Sequence, residues 1–315
     1  MKKSKLETAN IILLIDGNAL AHRAFHALPD FKTSKGVHTN ALYGFTTMLH
    51  RAIEGFRPTH VVVCFDTPKP TFRDQLYDEY RITRPETAEH LKSQFPLIKQ
   101  MLSAAGIVAT EKDGFEADDL IAMIKKEVTP ESNRIIIITG DRDLLQLVDD
   151  KTIVATPQIG FSKNTLYDPS KVKEKMGVDP ARITDFKALA GDPSDNYPGV
   201  AGIGPKTATQ LLSQFNSLEA IYKNLDKIKS EKTRQLLEKN RENAFLGKKL
   251  ATLVAKNHIN ISLDQLQFHG YNELLKDFFE MVEFESLKKR FFSQTTNKAE
   301  SEVKKKNNKE QMDLF

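Results

Sequence analysis

Acidic residues that follow apolar runs are the most chemically informative feature of the sequence. The runs IILLID, HVVVCFD and RIIIITGD end at Asp16, Asp66 and Asp141, and Asp143 follows two residues after the last. The segment EADD adds carboxylates at the predicted start of a helix, at Glu116, Asp118 and Asp119. Like charges gathered in this number are strongly unfavourable unless cations neutralise them, and oxygen ligands without histidine or cysteine favour Mg²⁺ or Mn²⁺ over zinc. The pattern predicts a site for two or more divalent ions.

Such a site supports two-metal hydrolysis of a phosphodiester bond. Two ions about 3.5 to 4 Å apart lower the pKa of an attacking water and stabilise both the entering and the leaving oxygen. A structural explanation competes with this one, because a single aspartate after a strand commonly caps a helix or forms a turn. Asp118 and Asp119 are also of the type that complements a helix macrodipole. Three strand ends combined with a helix-start triplet favour the metal site.

A second motif, GDPSDNYPGVAGIGPKTA at 191–208, carries two further carboxylates, Asp192 and Asp195. Its spacing is typical of a helix-hairpin-helix turn. Glycine allows a backbone to approach a phosphate closely, and the start of the following helix offers free N–H groups and a favourable dipole. The residues concerned are Gly199, Gly202, Gly204, Lys206 and Thr207. Many glycine-rich turns serve packing alone, but the two preceding carboxylates favour a contact with DNA.

The apolar runs that lead to the aspartates predict strands buried on both faces of a sheet. Helix-like stretches lie between them, at residues 41 to 56 and 117 to 128. The order strand, helix, strand predicts an α/β fold with a mostly parallel sheet. Ligands of such sheets bind beyond the carboxyl ends of the strands. The strands are therefore expected to bring the acidic residues to a common edge.

Composition divides the chain into parts. Residues 1–167 carry the strand signals, with an insertion rich in charge at 68–96. Helical signals dominate residues 168–292, which predicts a second, helical module. The stretch 293–310 is polar and has no aromatic residue, which predicts disorder, and apolar character returns only at 311–315.

The charge balance suits a protein that binds nucleic acid. The 315 residues carry a formal net charge of +4, and setting aside the nine clustered carboxylates leaves a clearly basic surface. The single cysteine, Cys64, lies in an apolar run and cannot form an internal disulfide. The N-terminal apolar run IILLIDG spans only seven residues, too short for a signal peptide or a membrane span. We expect a cytoplasmic protein without membrane contact.

Five segments together resemble the 5′-nuclease domain of bacterial DNA polymerase I and, more distantly, the flap endonuclease family. In that family's order they are IDGNALAHRAFHAL, FDTPKPTFRDQLYDEYRITRP, GFEADDLI, ITGDRDLLQLV and ALAGDPSDNYPGVAGIGPKTATQLL. The resemblance implies a PIN-like α/β nuclease fold with a mostly parallel central sheet, a helical arch at 68–96 and a C-terminal helix-three-turn-helix module. It also implies 5′-3′ exonuclease and flap endonuclease activity on 5′ ends, flaps or nicks of duplex DNA, in primer removal and repair.

The same resemblance assigns roles to residues. One ion would be held chiefly by Asp16, Asp66, Glu116 and Asp118, and the other by Asp119, Asp141, Asp143, Asp192 and Asp195. In the arch, Arg81 and Arg84 would steer the scissile phosphate and support its developing charge, and Tyr80 would stack on a base or ribose. Arg23 and Phe25 match positions that contact DNA near the cut. Relatives often have lysine where Arg81 stands and tyrosine where His22 and Phe25 stand. Arginine and lysine are not interchangeable at a site that needs a compact cation.

The final pentapeptide, QMDLF, resembles the peptide by which many bacterial replication and repair proteins dock on the sliding clamp. Leu314 and Phe315 would fill an apolar pocket and Gln311 would hydrogen-bond, while the polar linker would raise the local concentration of the nuclease on DNA. A polymerase I chain would continue beyond this point, so we expect a free-standing, monomeric nuclease. The alternative for the pentapeptide is a tail end without function.

Two other functions compete with the 5′-nuclease. A PIN-type ribonuclease shares acidic residues on a similar sheet, but such domains are usually shorter and lack the glycine-rich module and the insertion. A catalytically inactive protein that binds DNA and recruits partners to the clamp would retain the acidic cluster as a relic. The sequence leaves open the balance between exonuclease and flap endonuclease activity, a preference for RNA-primed ends, and the choice between Mg²⁺ and Mn²⁺.

Overall fold

The computed structural model describes residues 9–128, 133–158 and 164–292. The predicted linker at 293–310 and the terminal pentapeptide at 311–315 lie outside the described residues. Within those ranges, no helix combines the length and the apolar character that crossing a membrane requires.

A six-stranded sheet in the order β3-β2-β1-β4-β5-β6 forms the centre of the molecule, and only β6 runs antiparallel to its neighbour. Its strands are β1 (Ile11–Asp16), β2 (His60–Phe65), β3 (Val108–Glu111), β4 (Arg134–Ile138), β5 (Thr152–Pro157) and β6 (Asn164–Tyr167). The three apolar runs form β1, β2 and β4, three adjacent strands of parallel register. The predicted mostly parallel α/β fold is confirmed.

Fourteen helices surround the sheet within the described residues. The first six are α1 (Gly17–Ala27), α2 (Asn40–Phe56), α3 (Phe72–Leu76), α4 (Glu89–Lys92), α5 (Phe95–Ala104) and α6 (Ala117–Glu127). The next six are α7 (Pro169–Met176), α8 (Ile183–Ala190), α9 (Pro205–Phe215), α10 (Leu218–Lys223), α11 (Glu231–Lys239) and α12 (Arg241–Ala251). The last two are α13 (Leu274–Met281) and α14 (Glu285–Phe292).

Alternate residues of the central strands pack into two hydrophobic cores, one on each face of the sheet, as expected for strands that are buried on both faces. Ile12 and Leu14 pack with α6 and with the helical module, α8 to α12. Leu13 and Ile15 pack with α1, α2 and α5, and also with α13 and α14. The last two helices thus lie on the face of the sheet opposite to the rest of the helical module.

The insertion at 68–96 contains only two short helices, α3 and α4, joined by turns. Between them Tyr80 is buried against the helical module, near Leu250 and Ala251. Arg81 has a φ of 55°, a left-handed backbone that is uncommon for a residue other than glycine. Its N–H donates to the carbonyl of Asp195 at 3.0 Å, which ties the insertion to the turn between α8 and α9.

That turn is closed by a tight contact between two glycines. A Cβ atom placed on Gly199 would lie 2.3 Å from the backbone nitrogen of Gly191, so no larger residue fits. Gly199 is buried and serves this contact, which differs from the expectation that it approaches a phosphate. Gly202, with a φ of 89°, and Gly204 are exposed. The turn positions Asp192 and Asp195 directly beyond the end of α8.

Candidate metal centre

A cavity of about 400 Å³ opens at the carboxyl edge of β1, β2 and β4. Arg81, Arg84 and His22 lie along its wall, and burial is the main cause that lowers the pKa of His22. Five of the predicted ligands line it: Asp16, Asp66, Glu116, Asp118 and Asp141. The strand ends therefore converge as the sequence predicts. We refer to these five carboxylates as the pocket group.

Two helix starts fix the pocket group. Asp16 is the N-cap of α1, and its carboxylate accepts hydrogen bonds from Ala19 N at 2.9 Å and from Thr139 Oγ1 at 2.8 Å. Asp66 accepts from Ala117 N, at the start of α6, at 2.7 Å. The capping role and the metal role are therefore compatible, since the positive ends of two helix dipoles lie at the anionic site. Each carboxylate keeps lone pairs for a further partner.

Burial disfavours the charged form of three carboxylates in the pocket group. Burial raises the pKa of Asp16 to about 7, and burial likewise raises the pKa of Glu116 to about 7 despite its arginine neighbours. Burial, and then the charges of Asp141 and Asp16, raise the pKa of Asp118. In the described ranges no lysine, arginine or histidine nitrogen lies within 4.0 Å of the carboxylates of Asp16, Asp66, Asp118 or Asp141. Among the described residues, these four carboxylates therefore have no cation that neutralises them directly.

A second acidic group lies beside the first, and its members are Asp143, Asp192 and Asp195. One oxygen of each lies within 4.8 Å of the others, a spacing that fits a shared ion. Its link to the pocket group is Asp141, whose Oδ1 accepts from the N–H of Asp143 at 2.8 Å. We refer to the carboxylates of Asp143, Asp192 and Asp195 as the trio. The resemblance grouped Asp119 and Asp141 with these three residues, whereas Asp141 lines the cavity with the pocket group.

The trio, unlike most of the pocket group, has cationic partners of its own. The ammonium group of Lys187, on α8, bonds both Asp143 and Asp192. Burial raises the pKa of Asp143 to about 6. Burial would also raise the pKa of Asp192, but Lys187 and hydrogen bonds from Ser194 outweigh it and lower that pKa. Sequence reasoning missed Lys187, and the available signal was a lone lysine inside the apolar stretch FKALA.

The predicted catalytic arginines also reach the trio. Arg81 bonds Glu116 at 2.6 Å and Asp195 at 3.0 Å, so it bridges the two acidic groups. Arg84 bonds Asp195 at 2.8 Å and keeps 45% of its side chain exposed. The hydroxyl of Tyr80 lies 3.4 Å from Asp195, and the Tyr80 side chain is buried. The structure brings the arginines to the site, while it leaves Tyr80 little surface on which a base could stack.

Asp119, which was expected to be a ligand, neither lines the cavity nor belongs to the trio. Its two oxygens accept from Arg73 at 2.7 and 2.9 Å, and also from Val254 N at 2.9 Å. Both side chains are almost fully buried, and Arg73 donates further to Leu250 O at 2.8 Å. This ion pair ties the start of α6 and the insertion to the end of α12 and the segment after it. Sequence reasoning missed Arg73, because nothing local in FRDQL signals so distant a partner.

Apart from Tyr80, the residues predicted to contact DNA fall in two places. Arg23 lies near Gly140, at the strand end that carries Asp141, and Phe25 packs edge-on against His26 with ring centroids 5.2 Å apart. The other four residues lie at the N-terminal end of α9, where no capping side chain accepts from the free N–H groups. They are Gly202, Gly204, Lys206 and Thr207, none of which lines the acidic cavity as the structure describes it.

Comparison with known proteins decides the family. The family described as "5′-3′ exonuclease, N-terminal resolvase-like domain" matches residues 11–177, and "5′-3′ exonuclease, C-terminal SAM fold" matches residues 178–274. The chain belongs to the 5′-3′ exonuclease family. DNA polymerase I of Bacillus subtilis is 42% identical over 261 residues, which cover 83% of this chain and 30% of that protein. DNA polymerase I of Streptococcus pneumoniae R6 is 40% identical over 294 residues, covering 92% of this chain and 34% of that protein.

The chain therefore spans about a third of the length of these relatives. Solved structures share its fold. A bacteriophage T5 flap endonuclease, in a pseudo-enzyme-product complex with DNA and metal ions, superposes with a TM-score of 0.65 at 22% identity, covering 87% of this chain and 99% of that one. The catalytic core of Rad2 in complex with DNA substrate has a TM-score of 0.58 at 16% identity, covering 90% and 91%. The predicted PIN-like fold with a helical C-terminal domain is confirmed.

Because the pKa of Asp16 is raised, replacing Asp16 by a neutral residue should stabilise the fold by an amount that depends on pH. Between its ordinary pKa of 3.8 and its folded value of about 7, the folded chain binds a proton that the unfolded chain does not. As the pH rises through this window, ionisation of the buried Asp16 therefore lowers the free energy of unfolding, and above the window the whole of this loss is present. In EDTA, Asp16→Asn should raise the free energy of unfolding by about 2 kcal/mol at pH 8 and change it little at pH 4. Urea unfolding at both pH values measures this, and a loss of stability at pH 8 contradicts it.

The ion pair between Arg73 and Asp119 predicts a strong coupling that does not depend on metal. Arg73→Met leaves a buried charge without its partner and should cost about 3 to 5 kcal/mol of unfolding free energy in EDTA. The double variant Arg73→Met with Asp119→Leu should lose at least about 1 kcal/mol less than the sum of the single variants. Urea unfolding provides the measurement. Lys69→Met, which breaks an exposed pair with Asp113, is the control and should behave as wild type. Additive losses would show that Asp119 acts independently of Arg73.

Proposed function

We propose that the chain is a metal-dependent 5′-nuclease that hydrolyses phosphodiester bonds near 5′ ends and flaps of duplex or branched DNA. The supporting observation is the pocket group, because four of its carboxylates face one cavity without a cationic partner among the described residues. The nearby trio adds a second set of oxygen ligands. Neither set contains histidine or cysteine, so hard cations such as Mg²⁺ or Mn²⁺ fit best.

The ligands divide by position. The pocket group would hold one ion and the trio a second, with Asp141 between them. When bound, the ions supply a water of lowered pKa and neutralise charge that develops on the phosphate. Asp119 is left out of this assignment because Arg73 and Val254 occupy its oxygens. It acts as a positioning residue for the start of α6.

The chain's own cations would then orient the substrate. Arg84 is nearly half exposed and bonds only Asp195 among the described side chains, so its guanidinium is free to turn towards a phosphate in the cavity. Arg81 is held by two carboxylates and is suited to keeping the site in shape. We therefore assign phosphate binding chiefly to Arg84, where planar, two-pronged donation suits a phosphodiester.

A second contact would bind the duplex at a distance from the bond that is cleaved. The N-terminal end of α9 offers free N–H groups, two exposed glycines and the exposed Lys206, which together form a site for backbone phosphates. Contacts of this kind recognise DNA without reading its sequence. The T5 flap endonuclease complex contains DNA and metal ions on the same fold, which supports DNA as the substrate class. RNA-primed ends, a monomeric state and a cytoplasmic location stay predictions.

Removal of one shared ligand should separate chemistry from binding. Asp141 lines the cavity and bonds the backbone of the trio, so Asp141→Ala should reduce cleavage of an end-labelled 5′-flap duplex in Mg²⁺ by at least about 100-fold. Binding of the same duplex in Ca²⁺, measured by fluorescence anisotropy, should stay within a few-fold of wild type. Asp226→Ala, at an exposed position in the helical module, is the matched control.

The alternatives give different results in the same assay. A catalytically inactive recruitment protein would bind the flap and leave it uncut in Mg²⁺ or Mn²⁺. A PIN-type ribonuclease would cut structured RNA and spare the DNA flap. Full-speed cleavage by Asp141→Ala would contradict the metal assignment. Labelled mononucleotides would indicate stepwise exonuclease action, and a flap-length product would indicate incision at the junction.

We also propose that residues 311–315 bind the bacterial sliding clamp. Support comes from the sequence alone, through the QMDLF pentapeptide that follows a polar stretch. Deletion of these five residues should abolish capture of the chain by immobilised clamp while cleavage of a free flap substrate stays unchanged. Substitution of Gln311, Leu314 and Phe315 by alanine at full length should reproduce the loss. Unaltered capture by either variant would refute the proposal.

A further inference from the structure

A second cavity, of about 160 Å³, adjoins the acidic one and shares Asp141 with it. It lies where β4 and β5 end, and α7 contributes to its wall. Its other polar walls come from Arg142, Thr156, Tyr167 and Lys175. One water occupies about 30 Å³ of the liquid, so the cavity has room for about five water-sized atoms. That space accommodates the oxygens of one phosphate group.

Arg142 stands between two predicted metal ligands in the sequence but faces away from the ions they would hold. Asp141 lines the acidic cavity and Asp143 belongs to the trio. Arg142 has helical backbone angles and precedes the short 3-10 helix Asp143–Leu147. Successive side chains of a helical turn point about 100 to 120° apart, so three neighbours cannot share one direction. The exposed Arg142 side chain lines the second cavity instead.

The two cations of this cavity have no acidic partner in the part of the chain that the structure describes. There, no carboxylate oxygen lies within 4.0 Å of a side-chain nitrogen of Arg142 or Lys175. Carboxylates that flank α7 in the sequence are engaged elsewhere. Asp168 caps the start of α7, and Asp179 pairs with Lys173 at 3.0 Å. The positive charge in the cavity is therefore not neutralised by a described side chain.

This cavity differs from the metal centre in how its cations are used. Arg81, Arg84 and Lys187 each bond a carboxylate of the centre and so neutralise the protein's own charge. Arg142 and Lys175 remain available to an anion from outside the chain. A planar guanidinium and an ammonium group are the donors that phosphate oxygens favour. Because the cavity shares a wall with the metal centre, a phosphate bound there would belong to the strand that is cut.

We propose that Arg142 and Lys175 form a subsite for one DNA phosphate next to the scissile one. The inference rests on the proposed function, since Asp141 joins the subsite to the ions. The carboxylate of Asp141 repels a phosphate, so the subsite fills when a divalent ion neutralises that carboxylate. Two sources supply the same chemistry, an internal phosphodiester of the flap strand and a terminal 5′-phosphate at a nick. A phosphate held here fixes which bond of the strand faces the ions.

The first test compares Arg142→Gln, Lys175→Gln and the double variant with two controls, all in the full chain. Arg57→Gln removes an exposed arginine just before β2, at the opposite edge of the sheet, and Lys173→Gln removes a lysine from the other face of α7. Fluorescence anisotropy measures binding of a 5′-flap duplex in Ca²⁺ at several salt concentrations. Each single variant should weaken binding about 10-fold, and the controls should match wild type. The double variant should lower the slope of log affinity against log salt by about 1, the loss of one phosphate contact.

The second test locates the phosphate and separates its two sources. Flap duplexes carry one neutral methylphosphonate linkage at each position that flanks the cut, and nicked duplexes end in a 5′-phosphate or a 5′-hydroxyl. If the source is internal, one methylphosphonate should weaken wild type about 10-fold and the double variant hardly at all. If the source is terminal, wild type should prefer the 5′-phosphate about 10-fold, and the double variant should lose that preference.

Two results would overturn the inference. Affinity and salt slope of the double variant equal to those of wild type is one. The other is an equal loss in both proteins at every methylphosphonate and with the 5′-hydroxyl, since no phosphate then depends on Arg142 and Lys175. Cleavage in Mg²⁺ judges the proposed function separately. If wild type cuts the flap and Asp141→Ala does not, only the subsite fails. If wild type neither binds nor cuts the flap, both fail together.

Discussion

Electrostatic repulsion among carboxylates at one edge of the sheet is the constraint on which the rest of the structure depends. Eight acidic side chains line the cavity or form the trio beside it. Burial raises the cost further, because ionised groups lose their hydration there. Four cationic side chains neutralise part of this charge: Arg73, Arg81 and Arg84 come from the insertion, and Lys187 comes from α8. The remaining charge is what the proposed divalent ions would neutralise.

The same ion pairs hold the modules together. The insertion reaches the α8–α9 turn through Arg81 and Arg84, and it reaches the start of α6 through the pair of Arg81 with Glu116. Arg73 joins the insertion, the start of α6 and the end of α12 in one buried network. The cations that neutralise the carboxylates are therefore the same ones that join the modules. A change at any of these cations alters the geometry of the carboxylates as well as their charge.

Much of this arrangement could be predicted from local sequence. Apolar β-branched runs that end in aspartate specify buried parallel strands, and parallel strands share a carboxyl edge, so the convergence of Asp16, Asp66 and Asp141 follows from pattern and topology. The partner of Arg73 could not be found in this way, because Asp119 lies 46 positions away in the chain. Lys187 had only a weak local signal, a single lysine in an apolar helical stretch, and one of its two partners lies 44 positions away. The role of Gly199 was also out of reach. Its closeness to Gly191 depends on how the turn folds back, which spacing alone does not determine.

The neighbours Asp118 and Asp119 show why residue type alone could not assign ligands. Successive residues of a helix point about 100° apart, so two adjacent aspartates at the start of α6 cannot face one site. Asp118 lines the cavity, and Asp119 faces Arg73 and Val254 in the interior. The EADD segment therefore supplies one carboxylate to the cavity and another to a buried ion pair. One carboxylate is kept without a cationic partner and stays available to an ion, and the other is neutralised permanently so that the helix carrying the first is held in place.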